Sequence, residues 1–171
     1  MSRFGWFLFG VVATCVALAL GAFLYVKNGG VQMAVNAPEQ PFEATVAKMA
    51  LHASFAGSLN LTSSVPLNDD TLAAGAQIYV DHCSGCHGRP GKSSGMAKRM
   101  FPPPPQLFEP DEMVTDDPVG EPWWIITNGI RLTGMPEFKS TLSDTERWQV
   151  ALLLKHADKL PPAALTALSA H

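Results

Sequence analysis

Three cysteines in 171 residues are too few for a disulfide framework, since one of them, Cys15, lies inside an apolar N-terminal run and the other two stand only three positions apart. Charge is sparse as well. Lys and Arg number 12 against 15 Asp and Glu, a net charge of -3. No dense Lys/Arg block interleaved with aromatics occurs, so nucleic acid is not expected as a partner. Strand signals are missing too, with no hairpin turn and no alternating run between the helical stretches of the second half. Once the apolar run and a linker are set aside, about one ordinary domain remains. That domain is small, and it needs help from outside its own side chains.

Cys83-Ser84-Gly85-Cys86-His87 supplies the help. Two thiols three positions apart, followed at once by an imidazole, are what covalent haem attachment requires. Each sulfur adds to one vinyl group of the porphyrin, and His87 is then placed to offer a ring nitrogen to the iron. Gly85 lets the loop close around the porphyrin edge. A redox dithiol would want a βαβ context, which the helical pattern here does not provide. A structural zinc site would want two further Cys or His at short spacing, yet the next histidine after His87 is His156. One covalent haem c is the expected cofactor.

From Phe4 to Val26 the chain carries no charge. At about 1.5 Å per residue this run reaches roughly 35 Å, enough to cross a bilayer core with some tilt. Arg3 precedes it, Phe4, Trp6 and Phe7 stand at one end and Tyr25 at the other, which suits interfacial aromatic belts with a short cytoplasmic N-terminus. A cleaved secretory signal is the competing reading, with small residues at Ala17 to Ala22, but the apolar run continues through Phe23, Leu24, Tyr25 and Val26. Val12-Ala13-Thr14-Cys15 resembles a lipoprotein box only distantly, and Cys15 is expected as a small buried residue of the span.

The expected organisation is therefore an N-terminal transmembrane anchor over 1–27, a juxtamembrane linker over 28–68, a haem domain over 69–160 and a C-terminal tail over 161–171. Within the linker, Phe42, Val46, Met49, Ala50 and Ala53 recur at helical spacing and predict a short helix near 42–55. His52 on that helix is expected as ordinary packing. The Ser-, Asn- and Thr-rich stretch from Gly57 to Asn68 reads as a linker. In the haem domain, Asp69 or Asp70 is expected to cap a helix carrying Leu72, Ala76, Tyr79 and Val80. Pro122 is expected to open a second helix, stopped by Asn128-Gly129. Ser143-Asp144-Thr145-Glu146 is a capping box for a third, which Leu160-Pro161-Pro162 ends. The fold class is all-α, with long loops wrapped around a flat cofactor.

A low-spin electron-transfer haem needs a second strong ligand that stays in place on oxidation. Met96, Met100, Met113 and Met135 follow the motif. Thr133-Gly134-Met135-Pro136 sets Met135 in a turn where Gly134 allows close approach and Pro136 fixes the next dihedral, so Met135 is the preferred candidate and Met100 the runner-up. Gly75 and Tyr79 ahead of Cys83-Ser84-Gly85-Cys86-His87-Gly88, then Asn128-Gly129-Ile130, Gly134-Met135-Pro136, and finally Trp148 and Leu152 on a closing helix, together resemble a class I monohaem cytochrome c of the membrane-anchored bacterial type. The resemblance covers roughly residues 70–160. It implies thioether bonds from Cys83 and Cys86, axial ligation by His87 and Met135, a crossing of first and last helices at Gly75 and Trp148, and a proline carbonyl orienting the His87 ring. The run Phe101-Pro102-Pro103-Pro104-Pro105 is the source of that carbonyl, without an indication of which proline.

On this basis the chain is expected to carry single electrons rather than to catalyse a reaction, as a subunit of, or tethered shuttle for, a respiratory or dehydrogenase complex. The alternative is a haem enzyme or gas sensor with an open sixth iron position, against which Met135 argues. His/Met ligation and an apolar wall from Ile125, Ile126, Ile130, Leu132 and Trp124 would give an oxidising carrier. Expected partners are redox proteins of a membrane complex, with the bilayer contacted through residues 4–26. The expected location is the inner membrane, single-pass, with the haem domain on the periplasmic side. Arg89, Lys92, Lys98 and Arg99 form a basic segment just after the motif, suited to steering toward an acidic partner.

Overall fold

The computed structural model describes residues 2–170, which fall into two compact units, one ending at Ala44 and the other beginning at Thr45. In chain order the helices are α1 (Arg3–Lys27), α2 (Glu43–Phe55), α3 (Asp69–His82), α4 (Ser84–His87), α5 (Gly120–Asn128), α6 (Asp144–Lys155) and α7 (Pro162–Ser169), with 3-10 turns at Ala56–Ser58 and Ala97–Arg99. Among the described residues there is no strand, only an isolated bridge between Arg89 and Lys92. The fold is all-α, as the missing strand signals imply.

The first unit is built on α1. The Ser2 hydroxyl caps it by accepting the Gly5 N–H at 3.2 Å, and the Asn28 N–H closes the far end on the Leu24 carbonyl at 3.0 Å. No residue of α1 is buried. A helix that is apolar all round belongs in an apolar surrounding. With a mean hydropathy of 2.5, α1 is long and apolar enough to cross a membrane, a test that a signal sequence also passes.

The second unit is organised around the crossing of α3 and α6. Gly75 makes the crossing possible, because a Cβ there would collide with the Gln149 carbonyl and lie 2.7 Å from its carbon. Leu72, Ala76, Tyr79 and Val80 from α3 meet Val150, Ala151, Leu153 and Leu154 from α6 in one core. Trp148 stacks on Trp123 of α5 at 5.0 Å with the rings 16° apart, tying the third helix to the pair.

Several boundaries differ from expectation, each for a local reason. Asn68, rather than Asp69 or Asp70, caps α3 by accepting the Thr71 N–H at 2.8 Å, which leaves the two carboxylates in the first turn, where the helix dipole favours them. α5 starts at Gly120, two residues before Pro122, which still sits within the first turn, where its missing N–H costs nothing. α6 ends at Lys155, ahead of the expected stop. Pro161 and Pro162 instead open α7, with Pro162 at the first helical position.

The described part of the expected tail over 161–171 is therefore a helix packed along α3, with Ala164 and Leu168 buried. Burial of a leucine of this kind stabilises by about 1.5–3 kcal/mol. Packing also reaches from the end of α2 into the start of the expected linker over 57–68. Phe55 is 2 % exposed and meets Trp124 edge-on at 6.3 Å. Ser58 is buried, and its carbonyl lies so close over Gly120 that no Cβ would fit there.

Candidate functional site

The haem-attachment motif sits where α3 ends. Cys83 caps α3 through its N–H to the Tyr79 carbonyl at 2.8 Å, and its own carbonyl accepts from Cys86 at 3.1 Å and His87 at 3.0 Å. That single turn, α4, projects Cys83, Cys86 and His87 into one cleft. Gly88 then reverses the chain at φ +70°, and its carbonyl accepts the buried Tyr79 hydroxyl at 3.0 Å. The next loop folds back against it, with the Ser94 hydroxyl bonded to the Gly85 carbonyl at 2.5 Å.

Pro105 is the proline the sequence left unnamed. Its carbonyl stands 2.8 Å from His87 Nδ1. Burial lowers the His87 pKa and the Pro105 bond opposes that shift. Because a carbonyl can only accept, the bond is Nδ1–H donated to Pro105, which leaves Nε2 as the nitrogen free to face a cofactor.

Met135 also lines the cleft, placed there by the loop after α5. Gly129 turns the chain at φ +65° and ψ -173°, and the Ile130 N–H donates to the Met135 carbonyl at 3.2 Å. Thr133 Oγ1 accepts the Met135 N–H at 3.1 Å, and the Phe138 N–H returns to the Ile126 carbonyl of α5 at 3.0 Å. Met100 lines the same cleft, its methyl resting in the space left by the missing side chain of Gly134. Met96 is 56 % exposed and does not line it, although its sulfur lies 3.8 Å from that of Cys86.

The apolar wall follows expectation only in part. Ile125, Ile126 and Ile130 contribute to it, joined by Leu107, Val114, Phe138 and the Pro102–Pro105 run. Leu132 does not: it is 91 % exposed, at φ +64°. Trp124 does not line the cleft either, because Phe55 has claimed it. His52 packs against Phe55 at 5.0 Å between ring centres and lies outside the cleft. A residue the sequence gave no reason to single out, Gln106, ties the motif to its surroundings. Its side-chain amide bonds to the Cys86 and Pro104 carbonyls and to the Ser94 N–H. Two of those partners lie in irregular chain and the third in the single turn of α4, so no sequence pattern marks it.

The cleft suits a flat apolar cofactor and little else. Its lining is overwhelmingly apolar, as a porphyrin face requires. Burial, aided by the neighbouring Cys86, pushes the Cys83 thiol up to about 12, the opposite of what a reactive dithiol needs. Among the described residues there is no group of three or more His, Cys, Asp or Glu placed to hold a metal ion.

An all-helical fold that closes a C-x-x-C-H turn against an apolar cleft defines a c-type cytochrome domain, with covalently bound haem c and electron transfer as its business. More particularly, residues 70–154 match the family model described as cytochrome C oxidase, cbb3-type, subunit III. The match runs from the first turn of α3 almost to the end of α6. No curated protein matches the chain.

Proposed function

We propose that the chain is a membrane-anchored carrier of single electrons whose haem is bonded through Cys83 and Cys86, with the iron held between His87 and Met135. The observation that supports this reading most is the shared cleft, in which an imidazole oriented by the Pro105 carbonyl and a thioether held by the 129–138 loop are both present. The haem, when bound, supplies a one-electron change of iron valence; the protein sets its potential, orientation and access. A neutral imidazole and a thioether favour ferrous iron relative to two stronger donors, and the isoleucine and proline wall keeps water away, so the carrier is oxidising.

The α1 helix serves as a single inner-membrane span, with the haem domain on the periplasmic side. Tethering of this kind raises the effective concentration of the domain near partners in the same membrane, as a subunit of or shuttle for a respiratory or dehydrogenase complex. Lys92, Lys98 and Arg99 stand exposed in the loop beyond the motif, where they steer an acidic partner toward the cofactor.

The ligand assignment is tested by the near-infrared methionine-to-ferric-iron charge-transfer band. Met135→Ala is expected to abolish it and Met100→Ala to leave it in place; the reverse pattern would transfer the assignment to Met100. Carbon monoxide binding by the untreated ferrous protein would mark an open sixth position and favour an enzyme or gas-sensing role instead.

A further inference from the structure

We propose that Gln106 is a positioning residue for the His87 imidazole, acting as a brace across the bond between His87 and Pro105; the inference rests on the reading of His87 as an iron ligand. The amide of Gln106 reaches both sides of that bond. Its Nε2 donates to the Cys86 carbonyl at 3.1 Å, one residue before His87, and to the Pro104 carbonyl at 3.0 Å, one residue before Pro105. Its Oε1 accepts the Ser94 N–H at 2.6 Å and occupies the space beside Gly88, one residue after His87. The brace is itself held, because the Gln106 backbone N–H donates to the Glu112 carboxylate.

The need for such a brace follows from the proline run. Pro102 to Pro105 have no backbone N–H, so the segment cannot enter a helix or a ladder that would hold its carbonyls in place. The Pro105 carbonyl receives His87 and the Pro104 carbonyl receives Gln106. With one amide joined to the residues preceding both partners, the imidazole and its acceptor move together. A hydrogen bond weakens steeply as it leaves alignment. A stronger bond at Nδ1 makes the ring a better donor to the metal and favours ferric iron, so the brace lowers the potential.

The test uses the full-length haem-loaded protein in detergent, with two variants. Gln106→Met keeps the shape and removes every side-chain hydrogen bond; Gln106→Glu keeps the acceptor for Ser94 and removes both donors. In Gln106→Met the ferric-to-ferrous ratio at a fixed applied potential is expected to fall by about tenfold, which is ~59 mV upward for a one-electron couple; in Gln106→Glu the new carboxylate itself favours ferric iron, so exchange of the His87 Nδ1 proton is the readout there. Exchange of the His87 Nδ1 proton, followed by NMR, should speed up in parallel. Ser93→Ala, which removes only the bond from Ser93 to Glu109 in the same loop, should change neither. If Gln106→Met does not fold, Gln106→Glu decides. Variants with the wild-type potential and wild-type proton exchange would overturn the brace while leaving the ligand reading intact. Wild-type protein without a histidine signature on the iron would overturn both.

Discussion

Replacing Gly129 by alanine should dislodge Met135 more than it unfolds the domain. Gly129 adopts φ +65° and ψ -173°, a region that side chains other than glycine essentially do not visit, at a cost of about 1–3 kcal/mol. There is also no room: a Cβ would stand 2.7 Å from the Met135 carbonyl oxygen, 2.7 Å from the Pro136 carbonyl carbon and 2.8 Å from the Glu137 nitrogen. All three are backbone atoms of the loop that carries the thioether, and forcing atoms into a filled space costs about 1–3 kcal/mol more. Even ~2 kcal/mol, if released by moving the loop rather than the helices, shifts its equilibrium by about 30-fold. The ferric protein should then lose its near-infrared methionine band while its helical circular dichroism persists. Gly91→Ala serves as the control, because Gly91 has φ +69° but nothing within 4 Å, so it isolates backbone strain from crowding. A Gly129→Ala protein with the band intact and wild-type melting would refute the reasoning.

At the α3–α6 crossing, Gly75→Ala should destabilise, although alanine in a helix interior normally gains about 1 kcal/mol over glycine. The Gln149 backbone in its path cannot turn away as a side chain would, so a net loss of about 1–2 kcal/mol is expected, and a melting temperature lower by several degrees in calorimetry. Stability should also depend on pH through the α6 cap. Bonds from the Ser143 hydroxyl and backbone N–H hold the Glu146 carboxyl below its usual value. A depressed folded-state value means that this contribution is present above the unfolded carboxyl pKa and fades as pH falls through the folded one. Wild type should thus melt above Glu146→Ala at neutral pH, with the gap closing on acidification; a gap independent of pH would count against the cap.

How much of this was legible beforehand depended on whether a feature is local. The attachment turn, the Gly134-Met135-Pro136 turn and the Ser143 capping box are each encoded within five residues, and all appear where the sequence puts them. The Gly75 crossing was legible because a glycine on an apolar helix face has few other uses. Pro161-Pro162 misled because proline ends one helix and starts the next with equal ease, and only the buried Leu168 tells which. The Ser-, Asn- and Thr-rich composition after Phe55 hid an ordered turn, since a single aromatic ring docked on Trp124 outweighs its polar neighbours. Leu132 and Trp124 were placed on the wall by hydrophobicity alone, which does not say which side of a loop a residue takes. Gln106 was illegible because its partners lie 2, 12 and 20 residues away, spacings that follow no helix or strand period.

The docking of Phe55 and Ser58 changes how much rope the haem domain has. Counted from the polar composition, 28–68 would pay out to roughly 140 Å when pulled straight, whereas the span from the end of α1 at Lys27 to the start of α2 at Glu43 allows only about 50 Å. With α1 in a bilayer as proposed above, the shorter tether favours a partner held in the same membrane over a distant soluble acceptor.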